Sequence, residues 1–208
     1  MRVIVGCEFS QIVALAFRNK GHEAFSCDLL PTEGKHPEWH FREDILEVLK
    51  REKFDLGIFH PPCTHLAVSG ARWFKEKQKD GRQQEGINFF LNLTVASIDK
   101  IAIENPVGIM SRKYRKPDQI IQPYYFGDSV QKATCLWLKN LPKLQPTKIV
   151  DRGLIYVDPR GNKHGGVHTM LAKRAYSPLM SLAKSEEKWK IRSRTFQGVA
   201  EAMASQWS

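Results

Sequence analysis

The chain has few cysteines, and none are close enough to act as a pair. Cys7, Cys27, Cys63 and Cys135 are scattered with no CxxC spacing. That argues against a zinc cluster or a disulfide framework and for a reducing cytoplasm; no metal is expected. Long apolar runs are also missing, and nothing approaches the roughly 20 residues of a membrane span. A first strand, Arg2 to Val5, begins so early that no signal peptide is expected. The pattern GxGxxG is absent, which leaves a dinucleotide cofactor with little support. There is no internal repeat and no low-complexity segment. Acid is scarce as well: 22 Asp and Glu face 32 Lys and Arg, for a net charge of +10. A balance this basic fits a polyanionic partner.

What is present reads as one domain spanning residues 1–208, long enough to bury a real core. Arg2 to Val5 leads through the turn Gly6-Cys7-Glu8-Phe9-Ser10 into a helix carrying Ile12, Val13, Leu15, Ala16 and Phe17, with Ser10 as its cap and Gly21 at its end. Ala24 to Cys27 is a second strand, closed by Asp28. Asp44 caps a short helix with Ile45, Leu46, Val48 and Leu49. Leu56 to Phe59 is a buried strand stopped by Pro61-Pro62. A long basic loop then precedes a helix over Glu85 to Leu93 and a strand ending at Glu104-Asn105-Pro106. This alternation predicts an α/β fold with a mostly parallel sheet covered on both faces. Later the pattern changes to Tyr124-Tyr125-Phe126, Ala133 to Leu138 and Gly153 to Val157, which predicts an antiparallel C-terminal part. Thr195 to Trp207 is the closing helix.

Two strands thus deliver reactive groups at a proline stop, on the edge where open α/β sheets bind ligands. Cys63 has three readings: a small buried hydrophobe, a loop bystander or a nucleophile. Its place in a stiff loop at the carboxyl end of a strand favours the nucleophile. His60 and His65 flank it, but sequence gives neither a partnership with the thiol. Glu104, at the end of an apolar strand, either holds a proton near neutral pH through desolvation, as suits an acid that protonates a ring nitrogen, or serves a helix cap or a salt bridge; the proline stop favours the acid. The turn after the first strand offers backbone amides to an anionic or polar ligand. Asp28 either takes the hydroxyls of a ribose or caps the turn before Leu29. Basic residues gather at Arg72 to Arg82, Arg112 to Lys116 and Lys184 to Arg194, each cluster with an aromatic (Trp73, Tyr114, Trp189). Such mixtures suit phosphates with stacked bases.

Pro61-Pro62-Cys63 followed by Glu104-Asn105-Pro106 resembles the catalytic motifs of cytosine-5 DNA methyltransferases, most of all small phage-type members. Segments such as Gln119 to Pro123, Thr134 to Lys139 and Arg192 to Gly198 extend the resemblance along nearly the whole chain. The resemblance implies a Rossmann-like, S-adenosylmethionine-dependent methyltransferase fold and a cytoplasmic enzyme, in a host cell if phage-encoded. The reaction it implies carries a methyl group from S-adenosylmethionine to C5 of cytosine in duplex or single-stranded DNA. Cys63 would be the nucleophile, Glu104 the acid at N3, and Asn105 the residue that holds the loop or ring. Glu8, Phe9, Ser10, Asp28, Leu29, Asp44 and Pro61 would border the cofactor. Arg72, Lys75, Arg112, Lys113, Arg115, Lys116, Lys190, Arg192 and Arg194 would meet the nucleic acid.

There are departures from the family. Gln11 stands where its cofactor loop has glycine, and is expected to crowd the methionine end of the cofactor. Gln131-Lys132-Ala133-Thr134 replaces an intact Gln-x-Arg-x-Arg element. The target-recognition domain is missing or reduced to about residues 147–193. Two alternatives follow: an enzyme that modifies free pyrimidine nucleotides with the same thiolate chemistry, or a DNA-binding protein that kept the fold and lost catalysis.

Overall fold

The computed structural model describes residues 1–151, 156–157, 163–164, 190 and 193–208. Its elements are β1 (Arg2–Gly6), α1 (Ile12–Arg18), β2 (Glu23–Cys27), β3 (His40–Phe41), α2 (Ile45–Arg51), β4 (Leu56–Phe59), α3 (Phe74–Lys79), α4 (Arg82–Thr94), β5 (Lys100–Pro106), α5 (Met110–Lys113), β6 (Gln119–Ile121), β7 (Thr134–Lys139), β8 (Tyr156–Val157), β9 (Lys163–His164) and α6 (Gln197–Gln206). A 7-stranded sheet has the order β3-β2-β1-β4-β5-β7-β6. Every strand in it is parallel to its fellows except β7, which runs antiparallel to both β5 and β6. β8 and β9 form a separate antiparallel pair.

Alternation of side chains across the strands builds two cores. Val3 and Val5 of β1, with Leu56 and Ile58 of β4, face α1 and α6, where Phe17, Val199, Met203 and Trp207 are buried. Ile4, Phe59, Ile101 and Ile103 point the other way, onto α2 and α4 through Ile45, Val48, Phe90 and Leu93. Period 2 in the strands and period 3.6 in the helices therefore meet on both faces of the sheet. The strand order reverses between β1 and β4, so the ligand crevice of such a sheet lies beyond the carboxyl ends of these two strands.

Three expectations need correction. Ser10 lies one residue before the N-cap of α1, and its Oγ accepts only Ile12 N, at 3.4 Å. The N-cap position is Gln11, in the left-handed region at φ 60, and its side chain makes no capping bond. Instead the buried Glu8 carboxylate accepts from Val13 N at 2.7 Å and Ala14 N at 3.2 Å, doing from inside what a cap does from outside. The basic loop after Cys63 is largely helical: a 3-10 turn over Val68–Trp73 runs into α3, and α4 begins at Arg82. Tyr124-Tyr125-Phe126 is not a strand. Pro123 opens a 3-10 turn in which Tyr125 N donates to Gln122 O and Phe126 N to Pro123 O, so local bonds replace ladder bonds. The edge strand is β6, just before that turn, an element the aromatic run concealed.

The suggested recognition insertion at 147–193 lies almost wholly outside the described residues, as do Trp189, Arg192 and the turn at Pro159 to Asn162. Among the described residues no helix is long and apolar enough to cross a membrane.

Candidate active site

β4 and β5 are parallel neighbours, with Phe59 opposite Ile103. One step further, their two motifs lie side by side. His60 Nδ1 stands 3.0 Å from Glu104 Oε2, and Asn105 Nδ2 donates to Pro61 O at 2.8 Å. The strand register alone thus brings the Pro-Pro-Cys and Glu-Asn-Pro motifs together, although they are far apart in sequence.

The loop after β4 is fixed through its carbonyls. Asn105 holds Pro61 O. Cys63 O accepts from Leu66 N and Ala67 N, each at 2.9 Å. The Lys77 ammonium donates to Thr64 O at 2.6 Å, and Gln83 Nε2 donates to His65 O at 3.1 Å. Leu66 O takes Ile109 N at 2.9 Å. Gly108 permits this last approach, because a β-carbon there would collide with the Leu66 carbonyl. A half-buried thiol is thereby presented on a loop whose backbone is bound at almost every residue.

The other three cysteines have raised pKa values. Burial, then the charge of Asp28, pushes the Cys7 thiol far up, and the same two causes take Cys27 to about 12. Burial and the Glu104 charge raise Cys135. These thiols stay protonated and packed, as structural cysteines do. Of the two histidines that flank Cys63 in sequence, His65 is held down by burial and by the charges of Lys77 and Arg82, and His60 turns to Glu104.

Glu104 departs from expectation. Burial pushes its carboxyl up, as the sequence implies. But the hydrogen bond from His60, the charges of Lys132 and His60, and a hydrogen bond from Thr134 outweigh burial and hold it below the usual carboxylate range. In this state Glu104 is ionised. Lys132 and Thr134 come from the segment Gln131-Lys132-Ala133-Thr134, just before and at the start of β7. Their roles were hidden in the sequence because β7 returns antiparallel to β5, opposite Glu104 and Asn105. A small pocket of about 20 Å³ lies beside them, lined by residues including Glu104, Lys132, Thr134, Phe196, Val199 and Met203. Phe196 also meets the Lys132 ammonium at 5.7 Å from its ring centre. α6 is seated here by Gly198, whose N donates to Asp128 Oδ2 at 3.1 Å, and whose missing side chain admits the Phe126 carbonyl.

The expected cofactor residues lie at the ends of β1 and β2. Glu8 and Phe9 are buried and Ser10 half-buried, and both Glu8 oxygens are occupied by α1. Asp28 caps locally, accepting Leu30 N at 2.9 Å through one oxygen; burial raises its pKa. Leu29 beside it is 71% exposed, a large apolar surface facing outward. Asp44 is exposed and caps α2 through Leu46 N, and Pro61 is buried. Gln11 does not project into open space. Its amide donates to His36 O at 2.7 Å and accepts His36 N at 3.3 Å, tying α1 to the loop after β2. Its backbone keeps the left-handed geometry that glycine favours.

The basic residues divide into two groups. Arg72, Lys75, Arg112, Lys113 and Lys116 lie on the solvent side, with Arg72 over the Trp73 ring at 5.1 Å. Arg115 is paired with Asp118 at 2.7 Å and bonded to Leu138 O. Lys190 and Arg194 both pair with Glu33, at 3.3 and 2.5 Å.

No protein-family model matches the chain, and no curated protein matches it. Among solved structures it is similar to an E. coli protein encoded within a prophage and provisionally assigned as a DNA modification methyltransferase. The TM-score is 0.48 at 17% identity, over 73% of this chain and 52% of that one. The chain thus spans about half the length of that structure. Its own strand order, with β7 alone reversed, is that of a Rossmann-like α/β methyltransferase fold.

Proposed function

We propose that the protein is a DNA cytosine-5 methyltransferase that uses S-adenosylmethionine and works through a covalent adduct at Cys63. One observation carries this reading: strand register places the thiol-bearing loop of β4 against the Glu104-Asn105 end of β5, bound to it at His60–Glu104 and Asn105–Pro61. A nucleophile and a carboxyl group carried at the ends of two paired strands fit addition to a pyrimidine ring. Cys63 Sγ bonds to C6, the C5–C6 double bond opens, and charge moves toward N3, where Glu104 delivers a proton. Asn105 and Lys77 keep the loop from moving as the bond forms. A base in a duplex reaches such a pocket only when flipped out of the stack.

The residues present fit the cofactor. Asp28 brings a carboxylate to the end of β2 for a ribose, Leu29 offers an exposed apolar face beside it, and Gln11 is folded away against His36. When bound, the cofactor supplies an activated methyl group to C5. The cations Arg72, Lys75, Arg112, Lys113 and Lys116, with Trp73 and Tyr114 among them, suit a phosphate backbone.

Incubation with methyl-labelled S-adenosylmethionine and either DNA or dCMP tests the proposal. Label on C5 of cytosine in DNA is expected. Label on dCMP alone would make the enzyme a nucleotide-modifying one. Binding to DNA with no label on either substrate would leave the inactive, DNA-binding reading.

A further inference from the structure

We propose that His60 stores the proton that Glu104 hands to the pyrimidine ring, and so acts as a positioning residue one step behind the acid. The inference rests on the proposed addition chemistry but concerns a residue that the two motifs do not include.

The geometry is specific. His60 is the first residue after β4; its backbone N donates to Gly6 O at 3.0 Å, which seats it between β1 and β5. Its side chain is 8% exposed, and that of Glu104 is 18% exposed. Nδ1 lies 3.0 Å from Glu104 Oε2, while the buried Nε2 has no hydrogen-bond partner among the described residues. Asn105 Oδ1, next along β5, is likewise buried without a partner among them. A buried imidazole with one nitrogen on a carboxylate and the other unused is poorly explained as a structural tie, since unpartnered buried polar atoms cost stability. It is well placed as a proton carrier.

The need for such a carrier follows from Glu104 itself. A carboxylate held ionised by His60, Lys132 and Thr134 has no proton to give N3. The titratable groups around the pair are Glu8 from the end of β1, whose carboxyl interacts with the His60 charge, and the Lys132 ammonium and the neutral Cys135 thiol on the Glu104 side. Two carboxyl groups therefore flank the imidazole: Glu104, in contact with it, and Glu8, whose pKa burial raises.

The transfer balances. As Sγ bonds to C6 and the ring electrons move to N3, N3 takes a proton from Glu104, and Glu104 takes one from His60 Nδ1. The imidazole is left neutral. On elimination, the C5 proton passes to water, its bonding pair re-forms the C5–C6 double bond as the C6–S bond breaks, and the N3 proton goes back through Glu104 to His60. No outside acid is consumed at N3.

The isolating variant is His60→Asn. Its amide N–H replaces Nδ1–H as a donor to Glu104 but carries no transferable proton. If His60 were only a structural tie, this variant would keep its activity. The expected result is a loss of methyl transfer by about 10- to 100-fold at pH 8, the low end of what proton transfer contributes. The deficit should shrink toward pH 6, where solvent protonates Glu104 more often. An equal deficit at every pH, or no deficit, overturns the proposal.

A second measurement needs no turnover. In ¹⁵N-imidazole NMR of the full chain at pH 7, Glu104→Gln should shift the His60 Nδ1 resonance, because it replaces the carboxylate that Nδ1 contacts with a neutral amide. An unchanged His60 signal overturns the proposal even if methyl transfer is normal. Coupled His60 and Glu104 signals in a wild type that never transfers a methyl group would instead overturn the methyltransferase reading.

Discussion

Lys77 reaches inward from α3 and donates its ammonium to the Thr64 carbonyl at 2.6 Å, although the residue is only 8% exposed. A buried lysine is unusual, because a desolvated charge needs a strong partner. Here the partner is the residue next to Cys63. Beside it Gln83, from α4, holds the following carbonyl, and Gln78 in turn donates to Gln83 Oε1 at 3.0 Å. The two helices thus brace the thiol-bearing loop from one side while β5 braces it from the other.

We predict that Lys77→Met loosens this loop. Removing the charged donor leaves the Thr64 carbonyl short of a partner, at a cost of about 1–3 kcal/mol in global stability. Urea denaturation measures this cost. Alkylation of Cys63 by iodoacetamide should also quicken, since local opening exposes the thiol. The exposed Lys113→Met serves as a control that should change neither value. Unchanged stability and alkylation in Lys77→Met would show that the loop does not depend on this bond.

Asn105 tests the opposite brace. Its Nδ2 donates to the Pro61 carbonyl inside a buried site. Asn105→Ala is expected to cost about 1–3 kcal/mol. Asn105→Asp should cost more, because it sets a carboxylate against a carbonyl. If Asn105→Asp proves as stable as wild type at pH 7, the bond is not made in solution.

Much of this site was legible in the sequence. The apolar runs before Cys63 and Glu104 marked two strands and their ends, and parallel pairing of such runs is the natural outcome of strand–helix alternation. What could not be read was the partner of each polar group. Glu8 as an internal cap of α1 depends on the left-handed turn at Gln11, which no glycine announced. His60 sits close before Cys63 in sequence yet serves Glu104, because β4 and β5 are in register. Lys132 and Thr134 reach Glu104 only through the reversed β7. Glu104 itself was expected to be protonated from burial alone, and the three groups that overturn this come from distant positions.

The state of Glu104 gives a pH prediction. Its folded-state pKa lies below its unfolded value. The ionised form therefore stabilises the fold above the unfolded carboxylate range, and that contribution fades as pH falls through the lower folded value. Glu104→Gln removes it. The stability gap between wild type and variant should be constant from about pH 6 to 8 and should shrink as acid is added below about pH 4.3, the ordinary range for this side chain. Chemical denaturation at about pH 7, 4.5 and 3 measures the gap. A gap that widens on acidification would contradict the ionised assignment.

The division among the basic residues predicts how DNA affinity responds to salt. Arg112, Lys113 and Lys116 are available to phosphates, whereas Arg115 is paired with Asp118 and bonded to the main chain. Neutralising Arg112 and Lys113 should flatten the log–log salt dependence of duplex binding by about 0.9 for each phosphate that the protein no longer neutralises. Arg115→Gln should leave that slope nearly unchanged and lower stability instead. Equal slope changes for all three substitutions would mean that the Arg115–Asp118 pair opens to meet DNA.

The most direct test of the account is covalent capture of the thiol. DNA carrying 5-fluorocytosine blocks release after methyl transfer, since fluorine at C5 cannot leave as a proton. Wild-type protein with this DNA and S-adenosylmethionine is expected to form a denaturant-resistant adduct that maps by peptide mass to Cys63, while Cys63→Ala forms none and still binds the DNA. An adduct of equal yield in Cys63→Ala, or one that maps to another residue, would contradict the assignment of Cys63 as the nucleophile.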